Sequence, residues 1–539
     1  MNQLHRKAIT ASVLLASAVL GSALANRSLR SFATAETKPK AAQNSAEKIS
    51  TGADATSADD ELGRAIDLTI IESDAARARW GVFVMSLTKG RVVYSRDGDK
   101  LFTPASNQKI YTTSVALDLL GADYRWRTSV YAEAGPDASG TIKGDLTLYG
   151  RGAPDLVSRP KKDEPSLTQL AEQLYQAGVR RVGGNIVGDE SYFHGELYGS
   201  GWQWNDLQWY FGAEPSALSI DTNAIDLSIS PGNTVGKPAD VELSRKTEHV
   251  RLVNNTTTAE RGSPTAIGIN RGLSDNEVRV WGEFPVAGRG FKAHLSVHNP
   301  ALWAAVLFRD ALVARGITVD GQPRQRDFRV AENARFDPRR SLELAHVDSA
   351  TLGEIVTATN KHSINLNAEL ILRLLGKERG STGPDSGQRR MRERGDDEAG
   401  VAVVKQWLNH AGISTNGLEI LDGSGLSRLD LVTPETTART LAAIARTPSA
   451  AVFRDSLPIA GRDGTLRGRL VREAERIVAK TGSLTYDHSL SGYATTRSGE
   501  VLVFSIMCND ATGRANATRL VDEIASLIAN GPGAAQGKQ

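Results

Sequence analysis

From about residue 131 to about residue 326 the chain reads as short alternating strands broken by Gly, Pro and Asn, as in Gly144-Asp145-Leu146-Thr147-Leu148-Tyr149 and Asn276-Glu277-Val278-Arg279-Val280-Trp281. This is the period-two texture of a β-rich block. The sequence on either side differs. Before the block, Leu62, Ala65, Ile66 and Ile70 recur at helical spacing over 60–77, strands over 80–85 and 91–95 form a hairpin around Lys89-Gly90, and a largely apolar helix over 110–120 stops at Gly121. After it, helical texture covers 352–357, 365–376 and 401–411, three strands cover 477–481, 490–495 and 501–507, and a last helix over 517–530 ends at Gly531-Pro532. Within the block only 300–316 reads as an amphipathic helix. Two strands before the block and three after it, with hairpin connections, predict one five-stranded antiparallel sheet flanked by helices. The fold class is therefore α+β and multi-domain, with the β-rich middle inserted into the sheet domain.

A chain of 539 residues exceeds one ordinary domain. Its 64 basic and 62 acidic side chains leave a net charge of +2, so no global field favours nucleic acid, and membrane contact is at most peripheral. Residues 1–25 read as an export signal, with His5, Arg6 and Lys7 ahead of an apolar stretch and Ala23-Leu24-Ala25 as a small-x-small cleavage site. The reading is an exported, periplasmic protein, with an uncleaved anchor as the alternative. Residues 26–58 lack large apolar side chains and read as a disordered linker, and 532–539 as a flexible tail. The charged, Gly-rich stretch 377–400, with Arg389-Arg390-Met391-Arg392-Glu393-Arg394 and Asp396-Asp397-Glu398, reads as a solvated surface loop. Cys508 is the only cysteine, which excludes an internal disulfide, and is expected to be a buried strand residue.

Three short patterns carry candidate chemistry. Ser106-Asn107-Gln108-Lys109 stands where a helix begins, and side chains at i and i+3 share a helical face, so a neutral Lys109 amine could take the Ser106 proton. Ser363-Ile364-Asn365 lies near another helix start, where a hydroxyl could pass a proton and a carboxamide bind an amide; a double cap is the structural alternative. In Lys480-Thr481-Gly482-Ser483 a strand delivers a cation and two hydroxyls that could receive a carboxylate, around a glycine that permits close backbone approach.

In this order and context the three patterns resemble the Ser-x-x-Lys, Ser-x-Asn and Lys-Thr-Gly set of penicillin-recognising serine enzymes. The interval between Ser106 and Ser363 is too long for a compact β-lactamase. It resembles instead the class C low-molecular-mass penicillin-binding proteins, the D-alanyl-D-alanine carboxypeptidase/endopeptidase family, in which two domains are nested inside a transpeptidase-like fold. Gly201-Trp202-Gln203-Trp204-Asn205-Asp206, Ser216-Ala217-Leu218-Ser219, Asn299-Pro300 and Asp422-Gly423-Ser424-Gly425-Leu426-Ser427-Arg428 look like family segments in order, whereas Gly150-Arg151-Gly152-Ala153-Pro154-Asp155 departs from the usual Gly-Asp-Pro and reads as a surface turn. The resemblance implies a catalytic domain over 59–137 and 328–531, inserted domain II over 138–212 and 305–327, and inserted domain III over 213–304.

The same resemblance implies that Ser106 is the acylated nucleophile, Lys109 its base, Ser363 the proton shuttle, Asn365 the ligand of the peptide amide and Lys480 the electrostatic anchor. Thr481 and Ser483 would hold the terminal carboxylate across Gly482, the backbone N–H groups of Ser106 and Ser483 would form the oxyanion hole, and Arg428 and Asp189 are candidates for the cleft rim and the amino end of the substrate side chain. The implied partners are peptidoglycan stem peptides and, as acylating inhibitors, β-lactams. A β-lactamase-like hydrolase and a non-catalytic cell-wall binding protein are the rival readings, and the oligomeric state is left open. No Gly-x-Ser-x-Gly elbow occurs, and His294 and His298 lie on a strand with no glutamate after His294, so neither a Ser-His-Asp hydrolase nor a metal enzyme is expected, and no cofactor.

Overall fold

In the computed structural model, the described residues are 57–329, 336–380, 395–513 and 515–531. The expected export signal, linker and C-terminal tail lie outside them, apart from residues 57 and 58. The predicted five-stranded antiparallel sheet is present, in the order Ile477–Leu484, Asp487–Thr495, Val501–Asn509, Arg79–Ser86 and Val92–Arg96.

Because successive strand residues point to opposite faces, the central strands supply two cores at once. From Arg79–Ser86, Phe83 and Met85 join a core with the helices Gln108–Leu120, Asn365–Arg379 and Pro434–Ile444, whereas Trp80, Val82 and Val84 join a second with Ser57–Ile71 and Ala517–Asn530. Val478 points to the first face, so Lys480 and Gly482 at the same parity point there too, towards the start of Gln108–Leu120. Strand periodicity thus aims the Lys480 ammonium at the helix that carries Lys109.

Ile477–Leu484 is an edge strand whose first half is covered: Ala479 N–H donates to the Pro458 carbonyl and Ala460 N–H to that of Ile477. By the same period the outward-facing backbone continues at Thr481 and Ser483.

The insertion has its own five-stranded sheet, in the order Pro323–Arg326, Ile186–Asp189, Leu146–Tyr149, Arg127–Ala132 and Leu342–Asp348, against which the helix Pro300–Arg315 packs. This sheet takes in Arg127–Ala132 and Leu342–Asp348, outside the limits 138 and 327 expected from sequence; Val130, Ala132, Ala345 and Val347 are buried in the insertion's core. Among the described residues the insertion also holds a small three-stranded sheet of Thr318–Val319, Arg181–Val182 and Thr141–Ile142, and two three-stranded sheets over 224–296.

Two expectations are corrected. Residues 377–400 are not a single loop: the helix Asn365–Arg379 runs through Lys377, and the acidic run opens the helix Asp396–His410, where carboxylates favour a helix N-terminus. Asp396 accepts the His194 N–H, and Asp397 lies 3.6 Å from Arg373; Arg389 to Arg394 fall outside the described residues. The turn 150–155 is no surface turn either. Gly152, Ala153 and Pro154 are buried, Gly152 N–H donates to Ala217, a Cβ on Gly150 would lie 2.2 Å from the Ala217 carbonyl oxygen, and Asp155 accepts the Ala350 N–H.

Phe504 is fully buried in the core formed with Ser57–Ile71 and Ala517–Asn530. Phe504→Ala is expected to lower stability by about 3–5 kcal/mol in denaturant unfolding, whereas Leu429→Ala, at an exposed side chain, changes it by less than about 0.5 kcal/mol.

Candidate active site

The approach to Ser106 is built by a backbone that ordinary residues avoid. Ala105 has φ of 49°, and Ser106 follows it in the one-turn 3-10 helix Ala105–Asn107 that leads into Gln108–Leu120. Such left-handed geometry at a non-glycine is strained and persists only where its surroundings fix it. Here Ser489 Oγ donates to the Pro104 carbonyl at 2.6 Å and Asn107 Nδ2 to Ser491 Oγ at 2.7 Å, tying both sides of the turn to the strand Asp487–Thr495.

Lys109 stands in the first helical turn with no exposed surface. Its Nζ lies 3.0 Å from Ser106 Oγ, 2.7 Å from Asn365 Oδ1 and 2.7 Å from the Ser424 carbonyl oxygen. The carbonyl and carboxamide oxygens can only accept. In the neutral amine two N–H groups therefore point at them, and the lone pair is left facing the Ser106 hydroxyl. Burial lowers the Lys109 pKa to about 7, against the opposing pull of Asp422, Glu369 and Asp430.

The turn Asp422–Arg428 brings the Ser424 carbonyl into place. Asp422 accepts the backbone N–H groups of Ser424, Gly425 and Ser427 and the indole N–H of Trp202. Gly423 N–H donates to Glu369, and Thr112 Oγ1 donates to the Gly423 carbonyl. Gly425 has φ of 78°, and a Cβ there would stand 1.8 Å from the Ala105 carbonyl oxygen, so only glycine lets this turn approach the residue before Ser106. Burial and then the Asp422 charge raise the pKa of both Glu369 and Asp430.

Ser363 occupies the left-handed C-cap of Leu352–His362, and Asn365 opens Asn365–Arg379. Lys480 Nζ donates to Ser363 Oγ at 2.9 Å and to the Thr481 carbonyl at 2.7 Å. Lys480 is fully buried, and burial followed by the Lys109 charge holds its pKa well below the ordinary lysine value. A Cβ at Gly482 would come within 3.0 Å of the Ser106 nitrogen, so the glycine lets the strand run against the Ser106 backbone. Thr481 Oγ1 lies 2.7 Å from Thr465 Oγ1, and Ser483 is exposed. Hydrogen bonds thus form two groups, Ser106 with Lys109 and Asn365, and Ser363 with Lys480.

Two of the sequence candidates stand apart from these bonds. Arg428 donates to the Thr485 carbonyl and to Asp487 Oδ2, bracing the hairpin that follows Ser483. Asp189 is fully buried and accepts from Ser191 and from Arg326 Nη1, the bonding of an internal ion pair; a substrate amine would have to displace Arg326 to reach it. Asp422, Glu369, Trp202 and the Phe211 carbonyl, which accepts from Asn365 Nδ2 at 2.8 Å, were not anticipated as site residues. The only local signal among them is Asp422 ahead of Gly-Ser-Gly, the composition of a side-chain-capped turn.

Comparison with known proteins identifies the family. The D-Ala-D-Ala carboxypeptidase 3 (S13) family model matches residues 62–530. A D-alanyl-D-alanine carboxypeptidase of Actinomadura sp. (strain R39) is 34% identical over 468 residues, 84% of this chain and 82% of that protein. The carboxypeptidase DacB of Haemophilus influenzae is 25% identical over 79% of this chain and 84% of its own length. In fold, the crystal structure of H. influenzae penicillin binding protein 4 (dacB) is similar with a TM-score of 0.73 at 23% identity, covering 86% of this chain and 98% of that one. The protein belongs to the D-Ala-D-Ala carboxypeptidase 3 (S13) family, the low-molecular-mass penicillin-binding serine DD-peptidases.

Proposed function

We propose that the protein is exported to the periplasm and hydrolyses D-Ala-D-Ala bonds of peptidoglycan stem peptides, and D-Ala cross-links as an endopeptidase, through an acyl-Ser106 intermediate that β-lactams also form. The observation that carries the reading is the Lys109 amine, with two hydrogens engaged by Asn365 and Ser424 and its lone pair facing Ser106 Oγ. Ser106 Oγ attacks the carbonyl carbon of the scissile bond while Lys109 takes its proton. The close approach of Gly482 to the Ser106 nitrogen supports the backbone N–H groups of Ser106 and Ser483 as donors to the developing oxyanion.

Ser363 supports the leaving-group step. Its oxygen already accepts from Lys480, so its own hydrogen is available to the departing amine. A substrate carboxylate held by Thr481 and Ser483 would favour the charged form of Lys480, which the buried position otherwise disfavours. Water then attacks the acyl-serine and releases the shortened peptide. A solved structure of H. influenzae penicillin binding protein 4 is complexed with a novel β-lactam, which supports β-lactams as ligands here.

Incubation with labelled penicillin and peptide mapping should place the label on Ser106, and Ser106→Ala should lose both label and D-alanine release by about a thousandfold or more. Label on wild type elsewhere, or equal labelling of the variant, contradicts the reading. Release of D-alanine from a D-Ala-D-Ala peptide with slow turnover of a chromogenic cephalosporin supports the peptidase; the reverse supports a β-lactamase, and neither activity supports a binding role.

Acylation needs neutral Lys109, so its rate should rise with pH up to about 7 and level off above, burial setting the midpoint against the opposing pull of Asp422, Glu369 and Asp430. Lys109→Arg, permanently charged, should abolish the pH-dependent rise and most of the rate; a flat wild-type profile between about pH 5 and 9 would exclude the lysine-base mechanism.

A further inference from the structure

The two oxygens that fix the hydrogens of the Lys109 amine belong to the catalytic domain, but neither is held by that domain alone. Asn365 Oδ1 accepts from Lys109 while its Nδ2 donates to the Phe211 carbonyl at 2.8 Å. Phe211 lies in the 3-10 turn Tyr210–Gly212, a part of the insertion. The second oxygen, the Ser424 carbonyl, belongs to the turn organised by Asp422, and one of the four N–H donors on Asp422 is the Trp202 indole at 2.8 Å, again from the insertion. Ser427 Oγ donates to the Ser200 carbonyl at 2.7 Å and Arg428 N–H to that of Gly201, so the turn is tied to this strip at three places.

The strip is anchored at its far end. The buried Arg271 donates to the Leu207 carbonyl and to Ser296 Oγ, Ser296 N–H donates to the Gln208 carbonyl, and Trp209 forms a β-bridge with Leu295. The strip is therefore bonded both to the insertion's strands and to the catalytic domain. The two sequence segments Gly201-Trp202 and Asp422-Gly-Ser-Gly thus meet each other.

We propose that the inserted segment 200–211 is a positioning clamp for the catalytic amine, setting the direction of the Lys109 lone pair through Phe211 and Asn365 on one side and through Trp202, the Asp422 turn and the Ser424 carbonyl on the other. The proposal rests on Lys109 being the base for Ser106. The clamp acts in the chemical step: a base misaligned by a fraction of an ångström slows proton transfer while leaving the pocket that binds the ligand intact. Trp202, Asp422 and the Phe211 carbonyl are accordingly positioning groups, and Trp202 is the one whose hydrogen bond can be deleted while an aromatic ring is kept at the position.

The test is stopped-flow acylation of the full-length protein by a fluorescent penicillin, separating the limiting acylation rate from the apparent dissociation constant. Trp202→Phe should lower the limiting rate by about tenfold, with the dissociation constant changed by less than about twofold. Trp204→Phe, at an exposed ring two residues on, should match wild type. Ser427→Ala, which cuts the tie to Ser200, should lower the same rate by about threefold and provides the readout if Trp202→Phe does not fold.

A Trp202→Phe or Ser427→Ala protein that reacts at the wild-type rate per labelled site overturns the clamp, even if fewer sites take label; so does a change confined to the dissociation constant. Wild type that takes no label at Ser106 overturns the functional reading, and the clamp with it. Normal wild-type acylation with unimpaired variants overturns the clamp alone.

Discussion

The burial of one amine organises this molecule. Lys109 has no exposed surface and its pKa falls to about 7 because burial disfavours the ammonium. A lysine removed from water must have its hydrogens satisfied, and that requirement shapes the surrounding chain. The Asp422 turn must bend sharply enough to present a carbonyl, Gly425 must admit the turn against Ala105, and Asn365 must sit at the head of its helix with its carboxamide turned inward. Lys480 repeats the arrangement one strand away, where Ser363 and the Thr481 carbonyl take its hydrogens. The serine hydroxyls at the two amines are the groups the chemistry uses.

The sheet converts sequence parity into this arrangement. Ile477–Leu484 needs only to alternate for Lys480 and Gly482 to face the helix of Lys109, and a single missing Cβ at Gly482 lets that face touch the Ser106 backbone. Ser106, Lys109 and Lys480 are thus held by rigid elements, while the strained step at Ala105 is fixed from both sides by hydroxyl and amide bonds to Asp487–Thr495. Preorganisation of this kind places the groups before substrate arrives.

Much of this was legible in the sequence because it is local. The i, i+3 spacing of Ser106 and Lys109, the alternation leading to Lys480 and the two-plus-three strand count are short-range patterns with direct geometric meaning. What escaped is long-range. Trp202 and Asp422 lie 220 residues apart, and Asn365 reaches a backbone carbonyl, Phe211, whose side chain gives no hint of it. Arg127–Ala132 and Leu342–Asp348 are ordinary strands in isolation, and only their pairing with each other and with Leu146–Tyr149 joins them to the inserted sheet. The acidic run at Asp396 misled in the opposite way, since a charged stretch suggests a solvated loop and here opens a helix.

The half-covered edge strand has a consequence of a different kind. An unprotected strand edge invites pairing with another chain and so invites aggregation. Here Pro458 and Ala460 occupy the backbone groups of Ala479 and Ile477, leaving the outward row uncovered by these bonds only towards Thr481 and Ser483. An opening that short accommodates the end of a small peptide but gives too few rungs for the long ladder two protein copies would build. The bonds that leave this short stretch of edge open therefore also limit self-association through it.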